Sequence, residues 1–377
     1  MNVGSIKEKN PEKRISITPD TSKSLKGLGL NVFLEKGYGE SLGYKDQEYK
    51  DKGAQILNDA KEVLSKSNLI CKVKLPIEEE FKNIKENSSL IVSNYNYEKD
   101  KKNHQNFYLK SKINIFALNL LPRITRAQSM DVLSSQANLA GYRAVIESIY
   151  EYEKAVPMMM TAAGTVPAAR VLVVGAGVAG LQAIATAKRL GAIVSATDVR
   201  LTAKEQVESL GGKFLTVEGS ENLETKGGYA KEAGEDFKKK QAQMLENAAS
   251  KSDIIICTAL IPGKPAPRII NEKMIDNMKS GSVIFDLAVT QGGNAAYSET
   301  DKIVVKKGVK IIGIGNVMNK LPLTASNLYA KNIFSFVRNL YSKEKKQFVI
   351  NMEDEIIKNT LIKGSNWYGN WSIYIQV

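Results

Sequence analysis

The sequence predicts an α/β fold with two doubly wound parallel sheets. Short apolar, β-rich runs alternate with Lys/Glu-rich helical segments, a pattern typical of parallel strands joined by crossover helices. The length of 377 residues suits two domains, and 43% hydrophobic residues are enough to give each a core. Near the middle of the chain, a glycine-rich turn separates a strand pattern from a helix pattern. We therefore expect two α/β domains.

The first domain is predicted to comprise residues 1–125 together with residues 321–377. Its β-rich runs start at Asn31, Asn68, Leu90 and Ile113, and no glycine-rich phosphate loop follows any of them. Apolar residues recur at helical spacing between 321 and 340, and we expect this helix to pack back on the first domain. Beyond Met352 the sequence is polar.

The second domain is predicted to comprise residues 126–320. A polar segment after Pro122 leads into a long helical pattern that ends near Lys154, and we expect this helix to bridge the two domains. The small residues between Met158 and Pro167 indicate a loop or hairpin, in which the methionines are expected to pack. Further helices are predicted near 204–210 and 236–250, a charged loop at 218–235, and strands near 214–217, 253–258, 283–288, 304–305 and 310–313.

The residues most indicative of function form the turn Gly175-Ala-Gly177-Val-Ala-Gly180. Strand-type residues precede it and apolar residues at helical spacing follow it, so the turn joins a strand to a helix. Gly175 suits the tight turn, Gly177 lets a pyrophosphate approach the backbone, and Gly180 lets the helix pack against its strand. The free N–H groups near Val178 then form an anion site at the positive end of the helix. The sequence therefore predicts dinucleotide binding.

The strand at 193–197 leads into Asp198, eighteen residues beyond Gly180. A carboxylate at this position accepts hydrogen bonds from the 2′-hydroxyl of an adenosine ribose, which favours NAD over NADP. Arg200 weakens this preference, because a nearby arginine suits the extra phosphate of NADP. The sequence alone leaves the degree of discrimination open.

The composition argues against several other classes of protein. The net charge of +13 is spread along the chain without a basic and aromatic module, so we expect no nucleic-acid partner. Cys71 and Cys257 each lie in an apolar, strand-like run, which predicts buried reduced thiols rather than a disulfide or a metal site. No apolar run is long enough to cross a bilayer and the first residues lack a signal-peptide core, so we expect a cytoplasmic protein.

Five segments closely resemble the alpha subunits of proton-translocating NAD(P) transhydrogenases. They are residues 121–136, 158–167, 193–212, 227–232 and 258–267, and the resemblance extends from Lys7 to about Glu355. It implies two Rossmann-like domains joined by long helices, with the GxGxxG site for NAD(H) in the second. It also implies hydride transfer between NADH and NADP⁺ bound on a partner beta subunit, coupled to proton translocation by a membrane-spanning subunit. By the same resemblance, the chain would form a homodimer on the cytoplasmic face of the inner membrane.

The resemblance also implies two sets of site residues. Those expected around the nicotinamide are Arg123, Gln128, Asp131 and Ser134. Those expected to line the rest of the NAD site are Gly175, Gly177, Val178, Gly180, Asp198, Val199, Arg200, Gly228, Tyr229, Gln241 and Leu260. One alternative is that residues 123–134 only cap a helix, with Thr125, Ser129 or Asp131 as the cap. Another is that Tyr229 lies in an ordinary solvent loop rather than in a loop that closes on the nucleotide.

Alanine dehydrogenase, which belongs to the same superfamily, is the alternative enzyme. It opens with a segment similar to residues 7–19, and Lys74 matches a substrate-binding lysine of that family. However, that family has its catalytic histidine shortly after the strand that corresponds to residues 90–93, where this chain has Asn94-Tyr-Asn-Tyr97. That family also has its catalytic aspartate before a Gly-Gly pair, where this chain has Val289-Thr-Gln291 before Gly292-Gly293. The single histidine, His104, lies in a hydrophilic run typical of a solvated loop.

The chemistry of the two reactions favours transhydrogenation. Reductive amination of a keto acid needs a proton donor within hydrogen-bond reach. Hydride transfer between two nicotinamide rings needs only that the reacting carbons are held close and water is kept out. A site without histidine fits the second reaction better.

A non-enzymatic module that senses NAD is a third alternative.

Overall fold

The computed structural model describes residues 1–95, 111–217, 235–260 and 265–363. The chain divides into two compact units, Met1–Gln136 with Met318–Val377 and Ala137–Val317. Each unit contains one seven-stranded, mainly parallel sheet with helices packed against it. The prediction of two doubly wound α/β sheets is confirmed.

The described strands in chain order are β1 (Asn2–Ser5), β2 (Asn31–Glu35), β3 (Ala54–Leu57), β4 (Leu69–Cys71), β5 (Ser89–Val92), β6 (Asn114–Ala117), β7 (Met159–Thr161), β8 (Gly164–Val166), β9 (Arg170–Val174), β10 (Ile193–Thr197), β11 (Lys213–Phe214), β12 (Ile254–Cys257), β13 (Val283–Asp286), β14 (Lys302–Lys306), β15 (Val309–Gly313), β16 (Tyr341–Ser342), β17 (Gln347–Phe348) and β18 (Leu361–Lys363). The described α-helices are α1 (Pro19–Gly27), α2 (Asp46–Asp51), α3 (Ala60–Lys66), α4 (Glu78–Phe81), α5 (Val132–Tyr152), α6 (Val178–Arg189), α7 (Ala203–Ser209), α8 (Glu235–Ala249), α9 (Glu272–Asp276), α10 (Pro322–Leu340) and α11 (Glu355–Thr360).

The first unit is built on a sheet with the strand order β18-β6-β5-β4-β1-β2-β3. Strands β1 to β6 are parallel, and β18 pairs antiparallel with β6 at the edge. Strands β5 and β6 are buried along their whole length, as expected of parallel strands covered on both faces. Helix α10 confirms the helix predicted from 321 to 340, and it packs on this sheet. The ring of its Phe336 lies edge-on to Phe116 of β6, with 5.5 Å between the ring centroids.

The strand order of this first sheet reverses between β1 and β4, the place where doubly wound sheets usually bind ligands. Here the chain's own side chains close it. Ser5 Oγ at the end of β1 donates a hydrogen bond to the carbonyl oxygen of Cys71 at the end of β4, 2.7 Å away. The ammonium group of the next residue, Lys72, lies 3.5 Å from carboxylate oxygens of Glu8 and Glu80. All three charged side chains are buried, so their charges are paired with one another rather than offered to a ligand.

The second unit repeats the same arrangement with the order β11-β10-β9-β12-β13-β15-β14. Its edge strand β14 is again antiparallel to its neighbour, whereas the other strands are parallel. The order reverses between β9 and β12, which places the ends of these two strands, Val174 and Cys257, side by side at the switch point. Helix α5 packs tightly in this unit, since a Cβ added at Gly141 would lie 2.0 Å from the carbonyl oxygen of Ala179.

Several further predictions can be compared with the structure. The helix expected to end near Lys154 is α5, and residues 158–167 contain the hairpin β7–β8. The expectation that its methionines pack is wrong: Met158 is 64% exposed and Met160 is 84% exposed, because among the described strands those of the hairpin pair with each other alone. Cys71 and Cys257 are buried free thiols, as predicted. None of the helices in the described ranges combines the length and the apolar character needed to span a membrane.

Candidate nucleotide-binding site

The predicted glycine turn joins β9 to α6, as the sequence pattern indicates. Two of its glycines are required by the protein itself. Gly175 has a φ of +95°, which favours glycine, and a Cβ there would lie 2.7 Å from Oγ1 of Thr258. A Cβ at Gly180 would lie 1.9 Å from the carbonyl oxygen of Gly175. These two residues therefore allow the tight turn and the close approach of helix and strand.

Gly177 differs from its two neighbours because no described part of the protein requires a glycine there. Its φ of −76° suits any residue, and a Cβ at this position would meet no described heavy atom within 4 Å. Gly177 is also the N-cap of α6 and provides no side chain to accept hydrogen bonds from the first N–H groups of the helix. Those N–H groups lie at the positive end of the helix dipole. Open space and a positive helix end together fit a pyrophosphate.

Residues from the neighbouring strands hold this turn in place. Oγ1 of Thr258, which directly follows β12, donates a hydrogen bond to the carbonyl oxygen of Gly175 at 2.8 Å. The backbone of the next residue, Ala259, makes two hydrogen bonds with the fully buried side chain of Asn294. Asn294 Oδ1 accepts from the N–H of Ala259 at 3.0 Å, and Nδ2 donates to its carbonyl oxygen at 2.9 Å. This contact fixes the backbone that leads to Leu260, whose side chain is 42% exposed.

Asp198 follows β10 and accepts four hydrogen bonds from within the chain. One carboxylate oxygen accepts from the backbone N–H and Nε of Arg200, both at 2.9 Å. The other accepts from the N–H of Ala176 at 2.7 Å and from the Arg200 guanidinium at 2.8 Å. Burial raises the pKa of Asp198, but the hydrogen bonds and charge of Arg200, with the Ala176 N–H, outweigh it and hold the pKa below its ordinary value. A ribose hydroxyl therefore has to displace one of these donors, because a carboxylate offers about four acceptor positions.

The other predicted residues of the second unit are placed less directly. Val199 is half-buried between Asp198 and Arg200, and Gln241 is half-buried in α8. Val178, the first residue of α6, is 42% exposed. Gly228 and Tyr229 lie outside the described residues.

The residues predicted around the nicotinamide belong to the first unit. Arg123 precedes the 3-10 helix Thr125–Met130, which carries Gln128, and both side chains are exposed. Asp131 connects this short helix to α5. Its two carboxylate oxygens accept hydrogen bonds from Ser134, one from the N–H at 2.9 Å and one from the hydroxyl at 2.5 Å. Asp131 therefore caps α5, the structural alternative considered from the sequence, and the action of these residues on a nicotinamide stays a prediction.

Comparison with known proteins accounts for nearly the whole chain. The alanine dehydrogenase/PNT N-terminal domain matches residues 4–140, and the alanine dehydrogenase/PNT C-terminal domain matches residues 144–366. The chain belongs to the alanine dehydrogenase/PNT family.

Within the alanine dehydrogenase/PNT family, this chain is more similar to transhydrogenases than to alanine dehydrogenases. It is 51% identical over 370 residues to the first of the parts that make up the NAD(P) transhydrogenase subunit alpha of Rhodospirillum rubrum, covering 96% of each chain. The crystal structure of transhydrogenase from Sinorhizobium meliloti is 44% identical, with a TM-score of 0.87 over 97% of this chain and 99% of that chain. The alanine dehydrogenase of Staphylococcus haemolyticus is 28% identical, over 91% of this chain and 88% of its own. The resemblance to transhydrogenase alpha subunits is confirmed.

The positions that separate the two branches of the alanine dehydrogenase/PNT family can be located in the fold. Asn94 follows β5 with an exposed side chain, and residues Val289–Gln291 form a 3-10 helix before the glycine pair. His104 lies outside the described residues. The ammonium group of Lys74 lies 3.9 Å from a carboxylate oxygen of Glu12, and the same carboxylate binds Arg14 through two hydrogen bonds of 2.8 Å. The Glu12 carboxylate is therefore paired with two cationic side chains, those of Lys74 and Arg14.

Two buried polar residues that shape the candidate nucleotide-binding site, Asn294 and Asp286, were not predicted from the sequence. Asp286, at the end of β13, accepts hydrogen bonds from the N–H groups of Ala288 and Ala295 at 2.9 Å and from the hydroxyl of Ser298 at 2.6 Å. It thereby fixes the turn that carries Asn294. The available signal was a polar residue at the carboxyl end of an otherwise apolar strand, where doubly wound sheets place their ligands.

Proposed function

We propose that this chain is the NAD(H)-binding subunit of a proton-translocating transhydrogenase. It transfers hydride between NADH and NADP⁺ held on a separate beta subunit, and a membrane-spanning subunit couples the transfer to proton movement. The observation that carries the nucleotide-binding role is the open space at Gly177. Packing among the described residues does not require a glycine at this position, the start of a helix without a side-chain cap, and a ligand that approaches the backbone explains it.

Each described residue has a separate task in this proposal. The N–H groups at the start of α6 bind the pyrophosphate, and Asp198 binds the adenosine ribose. Bound NADH supplies the hydride from its nicotinamide ring. The hydroxyl of Ser134 donates to Asp131, so its oxygen is left to accept a hydrogen bond from the nicotinamide carboxamide. The amide of Gln128 is exposed and can both donate and accept, while Arg123 supplies positive charge.

No residue in this scheme has to move a proton to or from the reacting carbons. That agrees with Asn94 and the 289–291 segment, which provide neither of the proton-transferring side chains expected in an alanine dehydrogenase. The similarity to transhydrogenase alpha subunits, 51% against 28% for an alanine dehydrogenase, supports the same choice.

The proposal includes partners and a location. The name of the Rhodospirillum rubrum relative makes it one portion of a subunit alpha, which implies further chains in that complex. We propose that this chain binds a membrane-spanning subunit and an NADP(H)-binding beta subunit on the cytoplasmic face of the inner membrane. We also propose a homodimer. The exposed Met158 and Met160 of the β7–β8 hairpin provide an apolar surface suited to a protein contact. Sedimentation of the purified chain tests the dimer.

The substitution Gly177→Ala tests the nucleotide site. The added methyl group meets no described protein atom but occupies the space of the pyrophosphate, so we expect the Kd for NADH to rise about tenfold or more, roughly 1.4 kcal/mol. The stability of the protein should be unchanged. Gly27→Ala is a matched control, because a Cβ at Gly27, at the end of α1, would also meet no described heavy atom within 4 Å and its φ is not positive.

Two activity measurements complete the test. Rapid hydride transfer to NADP⁺ after mixing with a purified NADP(H)-binding subunit is the expected result. Oxidation of NADH by the chain alone with pyruvate and ammonium would instead identify an alanine dehydrogenase. NADH binding without transfer to any acceptor would identify an NAD-sensing module.

A further inference from the structure

The buried side chain of Asn332 on helix α10 contacts the segment that carries the predicted nicotinamide residues. This residue is 8% exposed, and its amide group makes two hydrogen bonds to different elements. Nδ2 donates to the carbonyl oxygen of Ser129 at 2.9 Å. Oδ1 accepts from the hydroxyl of Ser135 at 2.7 Å. Asn332 therefore bridges the end of the 3-10 helix Thr125–Met130 and the first turn of α5.

The two contact points of Asn332 lie on either side of Asp131. Ser129 directly follows Gln128, and Ser135 directly follows Ser134. Asn332 therefore spans the segment 129–135. Asp131 and Ser134 lie within this segment and Gln128 lies next to it, and all three are predicted to act on the nicotinamide. Asp131 and Ser134 are bonded to each other, but neither bond reaches the rest of the unit. The contacts of Asn332 connect the segment to α10.

Helix α10 is a rigid support for such a contact. It runs from Pro322 to Leu340, and residues next to Asn332 along its buried face, Ile333, Phe336 and Val337, are completely or almost completely buried in the core of the first unit. A side chain anchored there transmits a fixed position to whatever it binds. Another residue of the short helix, Arg126, forms an ion pair with Asp354 and a hydrogen bond with Asn339 of α10, but its side chain is 55% exposed. Of these two side chains, that of Asn332 is the buried one.

The carboxamide of Asn332 meets two requirements with two separate atoms. It must donate to a carbonyl oxygen and accept from a hydroxyl at the same time. Aspartate keeps the acceptor but loses the donor and places a negative charge near the Ser129 carbonyl. Alanine removes both contacts, so the Ser129 carbonyl and the Ser135 hydroxyl lose the side chain that links them to α10.

We propose that Asn332 is a positioning residue for hydride transfer. It holds Gln128, Asp131 and Ser134 in the arrangement that orients the nicotinamide, and it does not itself touch the cofactor. This inference rests on the proposed function. Its consequence is a selective one: losing the contact displaces the orienting groups while the adenosine and pyrophosphate contacts of the second unit stay intact. Misplacement of reacting groups by about 1 Å can slow a reaction about 100-fold.

The test compares Asn332→Asp and Asn332→Ala with the matched control Asn327→Asp. Asn327 lies on the same helix and accepts a hydrogen bond from the hydroxyl of Tyr44 at 3.0 Å, which a carboxylate can also accept. For each protein, the single-turnover rate of hydride transfer to NADP⁺ on the beta subunit and the Kd for NADH are measured. We expect both Asn332 variants to transfer hydride about 10- to 100-fold more slowly, with the Kd for NADH within about threefold of the unchanged chain. The control should be unaffected in both.

The outcomes separate this inference from the function on which it rests. Normal rates in both Asn332 variants would overturn the positioning role and leave the proposed function standing. Loss of NADH binding in step with the rate, or an equal loss in Asn327→Asp, would mean that Asn332 only stabilises the fold, which also overturns the role. Absence of transfer by the unchanged chain, with NADH bound, would overturn the proposed function and the positioning role together.

Discussion

Replacing Asp198 with asparagine is expected to shift the preference of the nucleotide site from NADH towards NADPH. In the structure the carboxylate does two things at once. It is the acceptor proposed for the ribose hydroxyl, and it binds the guanidinium of Arg200 through two hydrogen bonds of 2.8 and 2.9 Å. The Arg200 charge is therefore neutralised by Asp198 rather than offered to a 2′-phosphate. The sequence leaves open whether the site prefers NADH or NADPH. We expect the strength of the Asp198–Arg200 ion pair to decide this preference.

The size of the effect follows from the contacts. Asparagine keeps one acceptor oxygen, so at most two of the four hydrogen bonds to Asp198 can persist, and its NH₂ group faces a donor. Losing the ribose acceptor should weaken NADH binding by about 1–3 kcal/mol, or about 5- to 150-fold. A released Arg200 can make a charge-assisted hydrogen bond to the 2′-phosphate, worth about 1.5–3 kcal/mol. The ratio of NADPH to NADH affinity should therefore change by about 100-fold or more.

Fluorescence titration with NADH and NADPH measures both affinities for the unchanged chain, Asp198→Asn, Arg200→Gln and the double variant. If Arg200 supplies the new phosphate contact, the gain in NADPH affinity should appear in Asp198→Asn and vanish in the double variant. The gain should also shrink at high salt, because a guanidinium–phosphate contact at a partly exposed site is screened. An unchanged Kd for NADPH in Asp198→Asn would refute the reasoning, and so would a gain that survives the loss of Arg200.

Two further predictions concern the first unit. Calorimetry should show that the chain binds one NADH. The switch point of the first sheet is closed by Ser5, Cys71 and the buried Glu8–Lys72–Glu80 cluster. A second NADH site that survives Gly177→Ala would contradict this. Burial raises the pKa of Glu12, but the hydrogen bonds and charge of Arg14 more than offset it, so the pKa lies below its ordinary value of 4.5. Glu12 thus contributes stability above about pH 4.5, and this stability is lost as the pH falls through the lowered pKa. The difference in unfolding free energy between the unchanged chain and Glu12→Gln should therefore shrink on acidification. A difference that stays constant from pH 7 to about pH 3 would show that the pair does not stabilise through its charge.

The features of this structure that could be predicted from sequence are those set by local chemistry. The turn at Gly175, the helix that follows it and the strand before it are specified by neighbouring residues: glycines at fixed spacing and a change from strand to helix periodicity. Helix α10 was predictable for the same reason, since its apolar residues recur at helical spacing along its whole length. These elements carry their own signal.

The elements that escaped prediction depend on distant partners. Strand β18 consists of three residues in a polar stretch, and its extended form comes from pairing with β6, some two hundred and fifty residues earlier, as in the pair Leu361 and Phe116. The two contacts of Asn332 join residues separated by 203 and 197 positions. No local pattern distinguishes such an asparagine from one in a solvated helix face. The position of Asp198 was predictable, whereas its occupation by Arg200 needed side-chain coordinates.

The discontinuous first unit also determines the order in which the chain can acquire its structure. Residues 137–317 are contiguous, so the nucleotide-binding unit can close its core as soon as they leave the ribosome. The first unit cannot complete its core at that stage, although its strands β1 to β6 are synthesised earlier. Phe336, whose ring packs against Phe116, belongs to α10, and the strand that pairs with β6 is β18. Until those segments arrive, an apolar strand edge and face stay open to wrong partners. Strands β1 to β6 therefore precede the second unit in synthesis but follow it in completing their core.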